Sequence, residues 1–352
     1  MNSKLSYKYS FFLWAFFCLI SFSIGYHSVN SFISQSIPEY ADAFVYLNIT
    51  KYGTEGITTD PRSSRVLIPL ISHAIFSVLP AKIGTWDSAA FSLLILNIAF
   101  CALCGVLIFH ITINLKKNAQ LALLASLLFF LNFAVPNYYL SSLVDVSECF
   151  YFLILFLCLK NKKYPWILIL AIIGTASKET FFPAAAVFMT GWFGYEYYET
   201  KKINKSHILY ILGFCLASSI MIFIIKSYIH GELYFPWNVA KRWYKPWPDF
   251  SFFRVIDEIR RFLYVFIWLL PLGIARINTL PKRWFFSSTL AASVIIALSM
   301  WSGASGAAIS RYLYNIVGPI LCISSAIFIS ELNSKFTSGI ISNDCTQTNK
   351  LS

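Results

Sequence analysis

Charge is what this sequence has least of. Of its 352 residues only 12% are Asp, Glu, Lys or Arg, against 57% hydrophobic and 18% aromatic, and the mean hydropathy is +0.64. So few charges cannot cover a water-exposed surface, which excludes a soluble domain and leaves a polytopic membrane protein. Internal repeats and low-complexity tracts are also missing. Histidine is sparse: His27, His73, His110, His207 and His230 are dispersed without HxxxH or HExxH spacing, so a histidine metal centre has no support. Cysteine offers no pair in a polar loop. Seven of the eight lie in apolar runs and Cys345 in the polar C-terminal stretch, so disulfides and structural zinc are not expected. Cys101 and Cys104 form a CxxC, but inside an apolar run, where packing is the simpler role. The formal charge of +12 does not point to nucleic acid, because the basic residues sit in short scattered turns and form no stripe.

What is abundant is apolar run length. A helix needs roughly 20 apolar residues to cross a bilayer, and such windows recur over 10–27, 88–113, 119–136, 141–159, 164–177, 180–195, 207–228, 258–275, 284–301 and 311–331. The expected fold is all-α: one helical membrane domain over 1–332 with about ten transmembrane helices, then a short polar, disordered tail over 333–352. The first run follows Lys4 and Lys8 without a small-x-small cleavage site, and reads as a retained signal anchor. NLKKN, KNKK, ETKKINK and ARINTLPKR fall on one side with both termini, and short basic loops mark the cytoplasm. Most of the 16 acidic residues then fall on the other side, Asp42, Asp60, Asp87, Asp145, Glu148 and Glu179 among them. Arg65 to Pro80 is apolar but short and broken by Pro69, so it is expected to lie as an interfacial or re-entrant helix on that outer face.

An ionisable group at bilayer depth costs about 2.5–3.5 kcal/mol, so charges next to spans are functional candidates. In EYADAFVYLN, Asp42 and Tyr46 share a helix face, with Glu39 a turn earlier; Asp42 is either a solvated loop acid, a general base or a cation holder. Arg62 and Arg65 in DPRSSR are three apart, and guanidinium forks match phosphate oxygens of a substrate or a lipid headgroup. Asp145 and Glu148 share a face at the end of a span, available to a substrate or to a basic partner from a neighbouring helix. In GTASKETFFP the adjacent Lys178 and Glu179 point different ways and serve different partners. Lys178 either meets an anion or caps the turn. A small-residue loop runs into Arg311, with Tyr312 beside it and Asn315 one turn on; Arg311 is an anion site or a helix cap. Trp237, Trp243 and Trp247 with Lys241, Arg242 and Lys245 could pack on sugar rings and meet phosphates, but read first as an interface belt.

Together ADAFVYLNITKYG, PRSSRVLIPLI, a DxxE near the next helix end, SKET and RYLYNIVGP resemble the bacterial branch of the GT-C superfamily, similar to its mannosyl- and aminoarabinose-transferases. These are multi-span glycosyltransferases that take a sugar from a polyprenyl phosphate such as undecaprenyl phosphate. The sequence content of the resemblance is confined to 39–70, 145–148, 177–180 and 311–319. It implies an inverting hexosyl transfer at the extracytoplasmic face of the inner (plasma) membrane, to an envelope glycan, lipid or protein acceptor. By that resemblance Asp42 is the general base or acceptor-orienting acid, Asp145 and Glu148 are second-loop acids, and Arg65, Lys178 and Arg311 stabilise the leaving phosphate, with Tyr46, Arg62, Glu179 and Tyr312 in support. Many relatives pair two acids in the first loop or carry a soluble accessory domain; here Ala43 follows Asp42 and the chain ends in a short tail. No cofactor is required by this pattern, and a divalent cation stays open. A polysaccharide polymerase or other lipid-linked oligosaccharide handler would share the outer arginines without needing Asp42. A secondary transporter, the third reading, requires charges near mid-membrane.

Overall fold

The computed structural model describes residues 7–31, 41–235, 252–301 and 306–348. Glu39 and the expected belt from Trp237 to Trp247 lie outside them. The fold is helical: α1 Tyr7–Ser31, α2 Ala41–Tyr52, α3 Leu67–Phe76, α4 Ser88–Lys116, α5 Ala119–Phe130, α6 Asp145–Lys160, α7 Pro165–Ser177, α8 Phe181–Thr200, α9 Lys205–His230, α10 Phe252–Phe266, α11 Leu269–Ile274, α12 Lys282–Trp301 and α13 Gly306–Thr348. The strand content among the described residues is a two-stranded hairpin, β1 Lys82–Ile83 and β2 Trp86–Asp87.

Among the described residues four helices are long and apolar enough to cross a membrane, within Tyr7–His27, Ser88–Lys116, Lys205–His230 and Ala308–Ser334. The chain is helical and its apolar helices suggest a membrane protein, with four candidate crossings by length and composition among the described residues where the sequence suggested about ten. Prolines and side-chain caps interrupt two of the expected spans, 119–136 and 258–275. Helix α5 stops at Phe130 because Asn132 Oδ1 accepts from Ala134 N and Pro136 supplies no N–H; the chain continues as a π-turn over Val135–Tyr139. Pro271 likewise withholds a donor from the turn before it, and the expected span 258–275 divides into α10 and α11. Helix α3, ten residues and about 15 Å long, is too short to span and packs on α2 and α4. In place of the expected disordered tail, α13 continues as helix to Thr348.

The apolar residues of α1, α4–α8, α12 and α13 form one core, with Phe17 against Phe130 and Phe156 stacked on Trp284 at 3.9 Å between ring centroids. A smaller core gathers Ala43, Tyr46 and Leu47 of α2 with Ile68, Leu93, Leu143 and Val144. It fixes α2 and α3 over the ends of the long helices. The starts of α4, α6, α8 and α13 and the end of α7 meet at this end of the bundle. At the other end Arg283 bridges Glu196 and Glu199 across the basic connections.

Candidate functional site

The charged residues singled out in five separate stretches meet in one cluster beneath α2. Each is held by a local device that the sequence encodes nearby.

Asp42 lies in the first turn of α2, where unpaired backbone N–H groups favour a carboxylate. Tyr46, one turn on, is wholly buried. Pro61–Ser64 form a 3-10 turn capped by Asp60, whose Oδ1 accepts from Arg62 N at 2.9 Å. The same carboxylate grips the Arg62 side chain, Nε at 2.8 Å and Nη2 at 2.7 Å, which turns Nη1 to Asp42 Oδ1 at 3.0 Å. Arg65, at the end of this turn, gives Nε and Nη2 to the Glu179 carboxylate at 3.0–3.2 Å and Nη1 to Tyr46 Oη at 2.7 Å. Asp42 Oδ2 is 3.7 Å from Arg65 Nη1.

The second half is deeper. Asn97, in the middle of α4, donates to Ser141 O and Leu143 O at 2.9 and 2.8 Å, satisfying the carbonyls of an irregular buried segment. That segment delivers Asp145 and Glu148 to the first turn of α6, which begins at Asp145 where the expected window began at 141. Gly174 lets the Phe181 ring lie against α7; a Cβ would come within 2.4 Å of the ring. The turn between α7 and α8 is tight for this reason and drives Lys178 inward. Its Nζ lies 2.5 Å from Asp145 Oδ1 and 2.6 Å from Glu148 Oε2, and 4.2 Å from the centroid of the Tyr312 ring. Lys178 and Glu179 therefore do serve different partners. Glu148 also accepts from Thr180 Oγ1 at 2.8 Å and Asn315 Nδ2 at 2.6 Å, and Asn315 Oδ1 accepts from Tyr139 Oη at 2.6 Å.

Arg311, near the start of α13, joins the halves. Its Nη2 is 3.5 Å from Asp42 Oδ2, and its Nε is 3.2 Å from Asp145 Oδ1. The second contact is between charges only: the Nε hydrogen is misaligned, so this buried N–H has no hydrogen-bond acceptor.

Exposure grades the cluster. Lys178 is 0% exposed, Asp145 1% and Glu148 2%, whereas Asp42 is 27% and Arg62 33% exposed. Burial alone would raise the Asp42 carboxyl, but Arg311, Arg65 and the hydrogen bond from Arg62 together hold it below its ordinary value. Glu179 follows the same pattern, with burial overridden by Arg65. Burial opposes the charge on Lys178, and Asp145 and Glu148 more than restore it.

All ten residues expected at the site are present in this network. Sequence reasoning named Asp60 only as an outer acid and passed over Ser64, Asn97, Tyr139, Thr180 and Lys226; Ser64 Oγ donates to Glu179 Oε2 at 3.3 Å, and Lys226 Nζ of α9 donates to Pro61 O at 3.1 Å beneath the arginine turn. Among the described residues no three His, Cys, Asp or Glu side chains gather as a metal-binding group. Each carboxylate of the cluster already faces a cation, so a divalent ion at Asp42 would have to displace a guanidinium. No protein-family model matches the chain, and no curated protein matches it either.

Proposed function

We propose that this chain is an integral membrane glycosyltransferase that moves a sugar from a polyprenyl phosphate, such as undecaprenyl phosphate, to an envelope glycan, lipid or protein acceptor. One observation carries the reading: Asp42, a carboxylate shared among the cluster's guanidinium groups, sits with Arg62 at the rim of a network whose deeper members, Lys178, Asp145 and Glu148, are sealed. A carboxylate beside cations suits a reaction that removes a proton from one oxygen while negative charge grows on another. The acceptor hydroxyl oxygen bonds to the anomeric carbon from the face opposite the phosphate, and the bond from that carbon to the phosphate oxygen breaks. The electron pair leaves with the phosphate, and the hydroxyl proton passes to Asp42. Guanidinium groups fixed before the reaction stabilise the anion without reorganising.

Within this scheme Arg62 and Arg311 lie near enough to Asp42 to meet substrate, whereas Lys178, Asp145 and Glu148 act through the residues they hold. Charges gathered at one end of the helices also favour group transfer over alternating-access transport, which needs a site near mid-membrane. The test is Asp42→Asn in purified chain supplied with lipid-phosphate sugars. Transfer should fall ~10²- to 10⁴-fold, the usual worth of a general base, while expression and membrane insertion persist. Undiminished transfer removes Asp42 from the mechanism. Mass spectrometry of lipid-linked sugars from cells lacking the chain identifies the donor.

A further inference from the structure

The cluster's cations are unequally committed. Arg65 forks onto Glu179 and reaches Tyr46 at 2.7 Å. Lys178 is shut in with two carboxylates. Arg62 is clamped by Asp60 through two side-chain nitrogens. Arg311 differs: its hydrogen bonds are long, 3.5 Å to Asp42 Oδ2 and 3.3 Å to Tyr312 Oη, and its buried Nε has none. A guanidinium carries five N–H donors in a fixed fork, so Arg311 has the most hydrogen-bonding capacity to spare.

Asp42 is divided in a matching way. Oδ1 is held closely by Arg62 at 3.0 Å, while Oδ2 rests loosely between Arg311 at 3.5 Å and Arg65 at 3.7 Å. One oxygen is tethered and the other is held loosely between two guanidinium groups. A phosphate oxygen on Arg311 would make the short, charge-assisted bonds that Oδ2 does not.

We propose that Asp42 is a built-in counter-anion for Arg311, displaced towards Arg62 when a phosphate ester binds, so that ligand arrival seats the anion and releases the carboxylate at once. The binding half stands on geometry alone; the use of the released carboxylate as a base rests on the sugar-transfer reading. The exchange resolves a conflict in the resting site. A carboxylate held ionised by neighbouring cations is a poor proton acceptor, and drawing Arg311 away to another anion makes it a better one. The base is then switched on by its own substrate, and a hydroxyl arriving without a phosphate meets it switched off.

Farnesyl phosphate, a short isoprenyl monophosphate, serves as probe, with farnesol and inorganic phosphate separating the contributions of chain and anion. Affinities are measured by calorimetry on the full chain in nanodiscs of uncharged lipid. Asp42→Asn should bind farnesyl phosphate about tenfold more tightly than wild type, equivalent to ~1.4 kcal/mol, because the internal competitor is gone. Asp42→Ser should do the same and covers the case in which the amide perturbs folding. Arg311→Gln should lose at least about tenfold, and adding Asp42→Asn to it should restore nothing. Unchanged or weaker binding in both Asp42 variants overturns the proposal, as does a gain that persists without Arg311. Binding of farnesol as tight as that of its phosphate also overturns it. Transfer assayed in parallel keeps the two readings apart. The expected affinities without any sugar transfer sink the glycosyltransferase reading and leave the exchange; transfer with no affinity gain in the Asp42 variants does the reverse.

Discussion

Replacing Lys178 by methionine separates a cation that meets substrate from one that holds the site together. Lys178 is 0% exposed, and its ammonium lies 2.5 and 2.6 Å from carboxylates that are themselves 1% and 2% exposed. Methionine keeps most of the side-chain volume and removes the charge, leaving two carboxylates facing each other away from water. Taking one partner from a buried ion pair costs ~3–5 kcal/mol, because the remaining charge is uncompensated. Here the lower end applies. Asp145 retains Arg311 at 3.2 Å, and Glu148 retains Thr180 and Asn315.

The expected loss is therefore about 3 kcal/mol, read as a shift in equilibrium unfolding of the purified chain in mixed micelles. Adding Glu148→Gln to Lys178→Met should recover a large part of it, since an amide ends the carboxylate repulsion, its oxygen still accepts from Asn315 and its NH2 can donate to the Thr180 hydroxyl. Farnesyl phosphate binding should change little for any folded Lys178→Met chain. The reasoning is refuted if Lys178→Met unfolds within about 0.5 kcal/mol of wild type, the scale of an ordinary surface change, or if the double variant is no more stable than the single. Stability retained with phosphate binding lost would return Lys178 to the ligand-contact role that its sequence context suggested.

Two further outcomes follow from the same geometry. The folded carboxyls of Asp42 and Glu179 lie below their ordinary values of 3.8 and 4.5, with burial outweighed by Arg311 and Arg65 for Asp42 and by Arg65 for Glu179. Their stabilisation is complete above those unfolded values and is lost as pH falls through the lower folded ones. The unfolding midpoint should hold from neutral pH to about pH 5 and decline below about pH 4.5, and Arg65→Gln should flatten that decline. Gly56→Ala should disturb the approach to the arginine turn, because a Cβ there would sit 2.4 Å from Asn48 O, a backbone atom that cannot step aside. A loss of ~1–3 kcal/mol, typical of overpacking, is expected in unfolding measurements, with weaker anion binding.

The charged half of the site was legible in the sequence because charge is scarce there. In an apolar chain each Asp, Arg or Lys beside a run is expensive, and helical spacing assigns faces: Asp42 with Tyr46, Asp145 with Glu148, Lys178 apart from Glu179. Neutral and local partners stayed hidden. Asn97 lies in the middle of α4 and carries no signal of the carbonyls at 141 and 143 that it will satisfy. Thr180 and Tyr139 look like ordinary span-end residues until packing brings Glu148 and Asn315 to them. Lys226 resembles any lysine whose stem lies along an apolar helix with its head at the end. Helix existence followed from run length, but helix limits did not, since they depend on where Asn132 caps and where Pro136 and Pro271 withhold a donor.

Charge balance explains why the site should work by exchange. Asp42, Asp145, Glu148 and Glu179 face Arg62, Arg65, Lys178 and Arg311, four charges of each sign, and the outlying pair of Asp60 and Lys226 keeps the sum at zero. Compensation of this kind is what permits so many charges against an apolar core. It also leaves little net field to attract an anion, and a phosphate added to the intact network would have no unmatched cation. The network can accept an anion only by giving up a contact, and the contacts differ in strength. Those of Lys178 are short and sealed; Arg65 is forked; Arg62 is clamped by Asp60. The Asp42–Arg311 contact is long, partly exposed and backed by an alternative partner for each member, Arg62 for the acid and Asp145 for the base. It is the contact whose exchange leaves the rest of the buried network intact.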